Sequence, residues 1–302
     1  MKRLTIAALS LLTTVCHAAT PFQIAFEESA INGGNTEIIV VNQEGKQTRL
    51  VDYPAGNYHV TWSPDGTRIA FTSARDGNSE IYVQSVVTLE ETRITNDPSE
   101  DLLPAWSPDG SMIAFTSQRS GNDEIFVLDL DSGRNPENIS NSPAWDTGPT
   151  WSPDGTKIAF ASNRDGDFNI YVTGSDGRNP TAITADAGAN LAPEWSPDGT
   201  MIAFLSSRDG KEEVYIVPPE GGNPRNISQS AKSDDFTPSW SPDGTMIAFA
   251  STRDGSQNIF VVDLADGTPW AVTNVEDNRR ASYPAFRPVL GPLAVDAVGK
   301  LA

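Results

Sequence analysis

Short runs in which bulky and small residues alternate recur along the chain with a nearly constant beat. Ile69-Ala70-Phe71-Thr72 puts Ile69 and Phe71 on one face and Ala70 and Thr72 on the other, the period of two expected of a β-strand. The Ile-Ala-Phe tripeptide also stands at Ile24, Ile113, Ile158, Ile202 and Ile247. From Ile69 onward each copy is preceded by Trp-Ser-Pro-Asp-Gly, beginning at Trp62, Trp106, Trp151, Trp195 and Trp240, 44 or 45 residues apart. A repeat of about 40–50 residues built from short β-type runs is the signature of a propeller or a related array.

Turn chemistry divides each unit into four runs. In the unit of Trp62 they span His59–Ser63, Arg68–Ser73, Glu80–Gln84 and Glu91–Thr95. Ser63-Pro64-Asp65-Gly66 supplies proline where a fixed negative φ is needed and glycine where φ turns positive. That predicts a type I turn with a glycine bulge, hence a hairpin. Arg75-Asp76-Gly77-Asn78 reverses the chain again. A fourth run recurs around Leu50, Ile94, Ile139, Ile183, Ile227 and Val272, mostly followed by Ser or Thr. Four antiparallel strands make one blade.

Bulky Ile and Phe of one sheet should nest against the alanine face of the next. No unit could stand alone. Ordering ~45 residues costs about 1–2 kcal/mol each, while a buried tryptophan returns only about 5 kcal/mol. The first unit starts with its second strand at Ile24, and Tyr283-Pro284-Ala285-Phe286-Arg287-Pro288 fits the pattern Thr237-Pro238-Ser239-Trp240-Ser241-Pro242. The last segment therefore supplies the first blade's missing strand. The expected architecture is all-β: a six-bladed β-propeller of four-stranded antiparallel blades, its ring closed by the N- and C-terminal segments. Residues 19–290 form the propeller, and residues 291–302 a tail without evident role.

Residues 1–18 read as a secretory leader: Lys2 and Arg3, a mostly apolar stretch from Leu4 to Val15, then Cys16-His17-Ala18. The stretch is too short for a bilayer span, and no later segment is long and apolar enough. Cleavage after Ala18 would remove the one cysteine and two cationic residues, moving the formal net charge from −19 to −21. Such a surface repels nucleic acid and anionic lipid. Periplasmic or secreted localisation follows, with no disulfide and no thiol chemistry.

Trp-Ser-Pro-Asp-Gly, then Ile-Ala-Phe, then Arg-Asp-Gly before Ile-Tyr-Val resembles the propeller repeats of TolB-like periplasmic proteins, over roughly Phe22 to Pro288. In that family an α/β domain precedes the propeller, which binds the lipoprotein Pal. Here the leader runs straight into the repeats. The resemblance implies a monomeric, non-enzymatic scaffold of the cell envelope. Its partner would be an envelope protein or peptide, such as a Pal-like lipoprotein.

The candidate site is the face where the loops leading into the first strands meet the loops joining second to third strands. Five residues before each repeat tryptophan stand Asn57, Asp101, Asp146, Asn190 and Asp235, with Ala281 in the closing segment; the other loops carry Arg75, Arg119, Arg164, Arg208 and Arg253. The N-terminal blade instead has an Asn-Gly-Gly insertion at Asn32. Arginine's fork suits carboxylates on a bound chain, so these ten residues are the expected partner-binding rim. Equally, each arginine precedes a Glu or Asn by five residues (Arg75 and Glu80, Arg119 and Glu124, Arg164 and Asn169), and such pairs could brace the loop locally. The loop acids also offer oxygen ligands to Ca²⁺ or Mg²⁺, but no continuous ligand loop is present and no metal or cofactor is expected. After cleavage His59 is the sole histidine, against transition-metal catalysis, and no Gly-x-Ser-x-Gly elbow occurs. The alternative function is a hydrolase or lyase acting on a sugar or lactone at the acidic channel mouth.

Overall fold

The computed structural model describes residues 22–288 apart from 32–34, 52, 54–55, 186–187, 231 and 277. The leader, the tail and Asn32 lie outside the described residues. Among the described residues twenty-four strands form six four-stranded antiparallel sheets, each a blade. Blade 1 takes its innermost strand from the end of the chain: Arg279–Phe286 pairs antiparallel with Gln23–Ala30, Ile24 opposite Phe286. The innermost strands of blades 2 to 6 are Asn57–Trp62, Asp101–Trp106, Asp146–Trp151, Asn190–Trp195 and Asp235–Trp240.

Nesting between blades follows the large–small alternation. Ala70 and Ile81 of blade 2 pack with Trp106, Ile113 and Phe115 of blade 3. Ala248 and Ile259 of blade 6 pack with Ile24, Phe26 and Phe286 of blade 1, so the ring has no seam without a core. Phe26, Phe71, Phe115, Phe160, Phe204 and Phe249 are all 0–1% exposed. Six equivalent clusters, not one central core, hold the molecule together.

The hairpin turns form as their chemistry dictates. Gly66 has φ +64° and its N–H reaches the Ser63 carbonyl at 2.8 Å, while Asp65 Oδ1 accepts from the Ser63 hydroxyl at 2.6 Å and from Thr67 N–H at 3.0 Å. In blade 4 the Ser152 hydroxyl, with the Thr156 N–H and hydroxyl, holds the equivalent Asp154 down at about 2. The repeated aspartate is a turn residue.

Two features depart from the sequence expectation. The outermost strands are shorter than the fourth runs: Glu91–Arg93 in blade 2 and only Glu137–Asn138 in blade 3. Beyond them a hydroxyl takes over the role of a strand carbonyl. Thr95 Oγ1 accepts the Ile81 N–H at 2.9 Å, and Ser140 Oγ accepts that of Ile125 at 2.9 Å. This explains the Ser or Thr after the apolar residue in blades 2 to 6, including the one in Asn138-Ile139-Ser140. The innermost strands each carry a bulge. His59, Leu103, Gly148, Ala192, Thr237 and Tyr283 all have positive φ, and the antiparallel register of blades 2 to 6 slips at that point. Five of these six residues precede a proline, which removes a ladder donor where the chain bends.

Candidate functional site

Because each bulge adds one residue to its strand, it turns the start of the innermost strand so that Asp101 lies directly opposite Ser117. That places its carboxylate beside the arginine two residues further on. Arg119 Nη2 donates to Asp101 Oδ2 at 2.7 Å and its Nε to Ser117 Oγ at 2.9 Å. Blade 4 repeats the arrangement with Arg164 and Asp146 at 2.9 Å, and blade 6 with Arg253 and both oxygens of Asp235 at 3.2 Å. In blade 5 the amide Asn190 accepts from Arg208 at 3.0 Å; in blade 2 Asn57 accepts from Arg75 at 3.3 Å, and Arg75 adds Glu91 at 2.5 Å. Each guanidinium also lies over two rings of its own blade, Arg164 for instance at 5.4 Å from Phe160 and 4.7 Å from Tyr171.

Sequence reading placed these ten residues on an open rim. The structure brings every pair together inside its own blade. Asn57, Asp101, Asp146, Asn190 and Asp235 are fully buried, and the side chains of Arg119, Arg164 and Arg253 are 17–20% exposed. Burial pushes the Asp101 carboxyl above its usual range despite the hydrogen bonds of Ser117 and Arg119. The expected pairing with the residue five positions on does not form in blades 2 and 3. Glu80 instead accepts from Arg93 at 2.7 Å, from Thr95 at 2.6 Å and from the Asp97 N–H at 2.9 Å. Glu124 likewise receives the Ser140 hydroxyl and the Ser142 N–H. These acids hold the loop that carries the chain into the next blade. The arginines brace the starts of the innermost strands. Replacing Arg164 by Met should leave Asp146 buried without a counter-charge and cost about 3 kcal/mol by urea unfolding. Adding Asp146→Asn to that variant should recover most of the loss.

Asp101, Asp146 and Asp235 each face their own arginine, and among the described residues no three His, Cys, Asp or Glu side chains are grouped as a cation site. The innermost strands that these residues begin surround a central channel, lined by later residues of the same strands. A cavity of about 1030 Å³ runs between the six innermost strands, lined by Tyr58, Leu103, Thr147, Leu191, Phe236 and Ser282 among others. Trp145, 57% exposed, immediately precedes the innermost strand of blade 4 and is pinned by hydrogen bonds in both directions between its backbone and Asn163.

Two channel acids escaped the sequence reading. Glu27 is 3% exposed and accepts the bulge N–H of His59 in the next blade. Burial raises its pKa to about 8, against the lowering effects of that bond and of Arg280. Burial also lowers His59 to about 4 and raises Tyr283 to about 12, the latter with help from Glu27; the two rings meet edge to face at 4.6 Å. Glu194 reaches from blade 5 towards blade 6, and burial raises it to about 8 as well. A signal was present. Glu27 occupies the position held by Thr72, Thr116, Ala161, Leu205 and Ala250 in the other repeats, and Glu194 that of Thr61, Ala105, Thr150, Ser239 and Ala285. Departures from a repeat mark its specialised positions.

A family model described as the TolB beta propeller domain matches residues 23–137, 78–190, 122–233 and 180–288, which overlap to span nearly all the described chain. The crystal structure of TolB from Acinetobacter baumannii superposes with a TM-score of 0.78 at 23% identity, over 89% of this chain and 67% of that one. The putative TolB from Agrobacterium tumefaciens gives 0.70 at 22% identity, over 89% and 99%. An oligogalacturonate lyase in complex with manganese gives 0.58 at 16% identity, over 83% and 74%. At these identities the structural likenesses show the fold alone. No curated protein matches the sequence.

Proposed function

The chain belongs to the TolB β-propeller family, and from that membership we propose a non-enzymatic binding scaffold acting outside the cytoplasm. Its partner is a protein or peptide of the cell envelope, received at the channel mouth framed by Asn57, Asp101, Asp146, Asn190 and Asp235 with Arg75, Arg119, Arg164, Arg208 and Arg253. These ten residues set the mouth's geometry, and neighbouring exposed groups such as Trp145 make the contacts. Large, rigid aromatic side chains at a rim are the usual anchors of such interfaces.

The observation that carries this reading is the channel itself, a cavity of about 1030 Å³ reached by all six blades. The alternative, a hydrolase or lyase, relied on Asp101, Asp146 and Asp235 as working acids, and each of them is engaged by its own arginine. Periplasmic or secreted localisation rests on the leader-like residues 1–18. Among the described residues no helix is long and apolar enough to cross a membrane.

The test is site-specific photocrosslinking in envelope extract. A crosslinker at Trp145 should trap a discrete polypeptide, and one at Val87, 56% exposed in a turn on the opposite face, should not. Capture from Val87 but not from Trp145 would overturn the assignment of the face.

A further inference from the structure

Six side chains at the last-but-one position of the innermost strands line the channel together: Thr61, Ala105, Thr150, Glu194, Ser239 and Ala285. Five are small, so building the ring does not require a carboxylate. Glu194 is nevertheless held in a defined pose. Its Oε1 accepts the Trp240 N–H at 3.2 Å and the Ser239 hydroxyl at 3.4 Å. Its Oε2 has no hydrogen-bond partner among the described residues. Ser239 and Trp240 face it from blade 6, Ala203 lies opposite it on its own blade, and no ionisable group bears on it. Arg280, a guanidinium lining the same channel, is engaged with Ser29 at 3.1 Å and acts on Glu27.

We infer that Glu194 is the seat for a basic side chain, lysine or arginine, which a bound polypeptide inserts into the channel. The inference rests on the channel-mouth reading above and names the chemistry of the partner. A guest ammonium or guanidinium group supplies the charge that the wall lacks and takes up the free carboxylate oxygen. The approach is favoured from a distance, since the chain carries a formal charge of −19 and Glu212 lines the same cavity. In the empty channel burial keeps the Glu194 carboxyl protonated up to about pH 8. Seating a cation therefore releases a proton to solvent.

The test is a titration of the full chain, labelled with ¹³C at the glutamate carboxyls and followed by NMR, the Glu194 signal being assigned with Glu194→Gln. The probes are acetyl-Gly-Lys-Gly-amide and its norleucine counterpart at millimolar concentration. The lysine peptide should bind at least about tenfold more tightly, the effect of one charge-assisted hydrogen bond. It should drive the Glu194 signal to the carboxylate position at pH 7. Its affinity should weaken about tenfold for each pH unit below about 8, a dependence absent with norleucine and in Glu194→Gln. Equal binding of the two peptides in the channel would overturn the cationic seat and leave the channel reading standing. No shift of any channel residue with either peptide would overturn both.

Discussion

Deleting residues 279–302 should abolish the cooperative unfolding transition of the propeller, and a synthetic peptide spanning residues 279–288 should restore it in trans. The segment is the innermost strand of blade 1. Its hydrogen bonds run along Gln23–Ala30, and without them that strand becomes an open edge. Phe286 is 6% exposed and meets Phe22 edge to face at 5.6 Å. Losing a buried phenylalanine costs about 3–5 kcal/mol by itself. Ala285 accepts the indole N–H of Trp62 at 3.1 Å, so blade 2 also loses a partner. Arg287, 6% exposed, bridges Gln23 Oε1 at 2.7 Å and the Gly66 carbonyl at 3.0 Å. The combined loss, on the order of 10 kcal/mol, is comparable with the whole net stability of a typical domain. Circular dichroism melts of the truncated chain, with and without the peptide, decide it. A truncated protein melting like the full chain would show that the ring does not depend on this strand.

The closure was legible because Pro284 and Phe286 repeat the Pro238 and Trp240 pattern one period later. The blade interfaces were legible because alanine alternates with Ile and Phe at every copy. The arginine partners were not, and the reason is one residue of backbone. Counting back from the Ser-Pro-Asp-Gly turn without a bulge puts Asp101 opposite Gln118, with its side chain on the wrong face of the strand. The observed slip at Leu103, where φ is +55°, puts it opposite Ser117 and within reach of Arg119. Proline after the bulge hinted at the bend, but a leucine, a histidine and a threonine at positive φ give no compositional sign. The acids five residues after the arginines were misread for a related reason. Glu80 lies at the start of a third strand whose outer neighbour ends early, so loop N–H groups and Thr95 claim its oxygens first. The channel glutamates were visible as exceptions to the repeat. Their place in the channel wall could be known only once the ring had been closed around them.

Glu27→Gln should make the propeller more stable than the wild type at pH 8 and leave the two alike near pH 4.5. In the folded chain burial raises Glu27 from 4.5 to about 8, so between those values the native state binds a proton that the unfolded chain releases. Wild-type stability is therefore whole below about pH 4.5 and falls as pH rises through about 8. At 1.36 kcal/mol per unit the loss approaches about 4–5 kcal/mol, with the opposing effect of Arg280 included. Glutamine keeps an acceptor for the His59 N–H and has nothing to ionise. Of the groups around Glu27, Tyr283 titrates near 12 and Arg280 stays charged, while His59, lowered from 6.5 to about 4, changes stability between those values equally in both proteins. Glu194 titrates in the same window but is common to both proteins, so it cancels in the comparison. Urea midpoints at pH 4.5, 6 and 8 should diverge steadily in favour of the variant. Parallel midpoints across that range would mean that Glu27 ionises freely, and that solvent reaches the carboxyl beneath the His59 bulge.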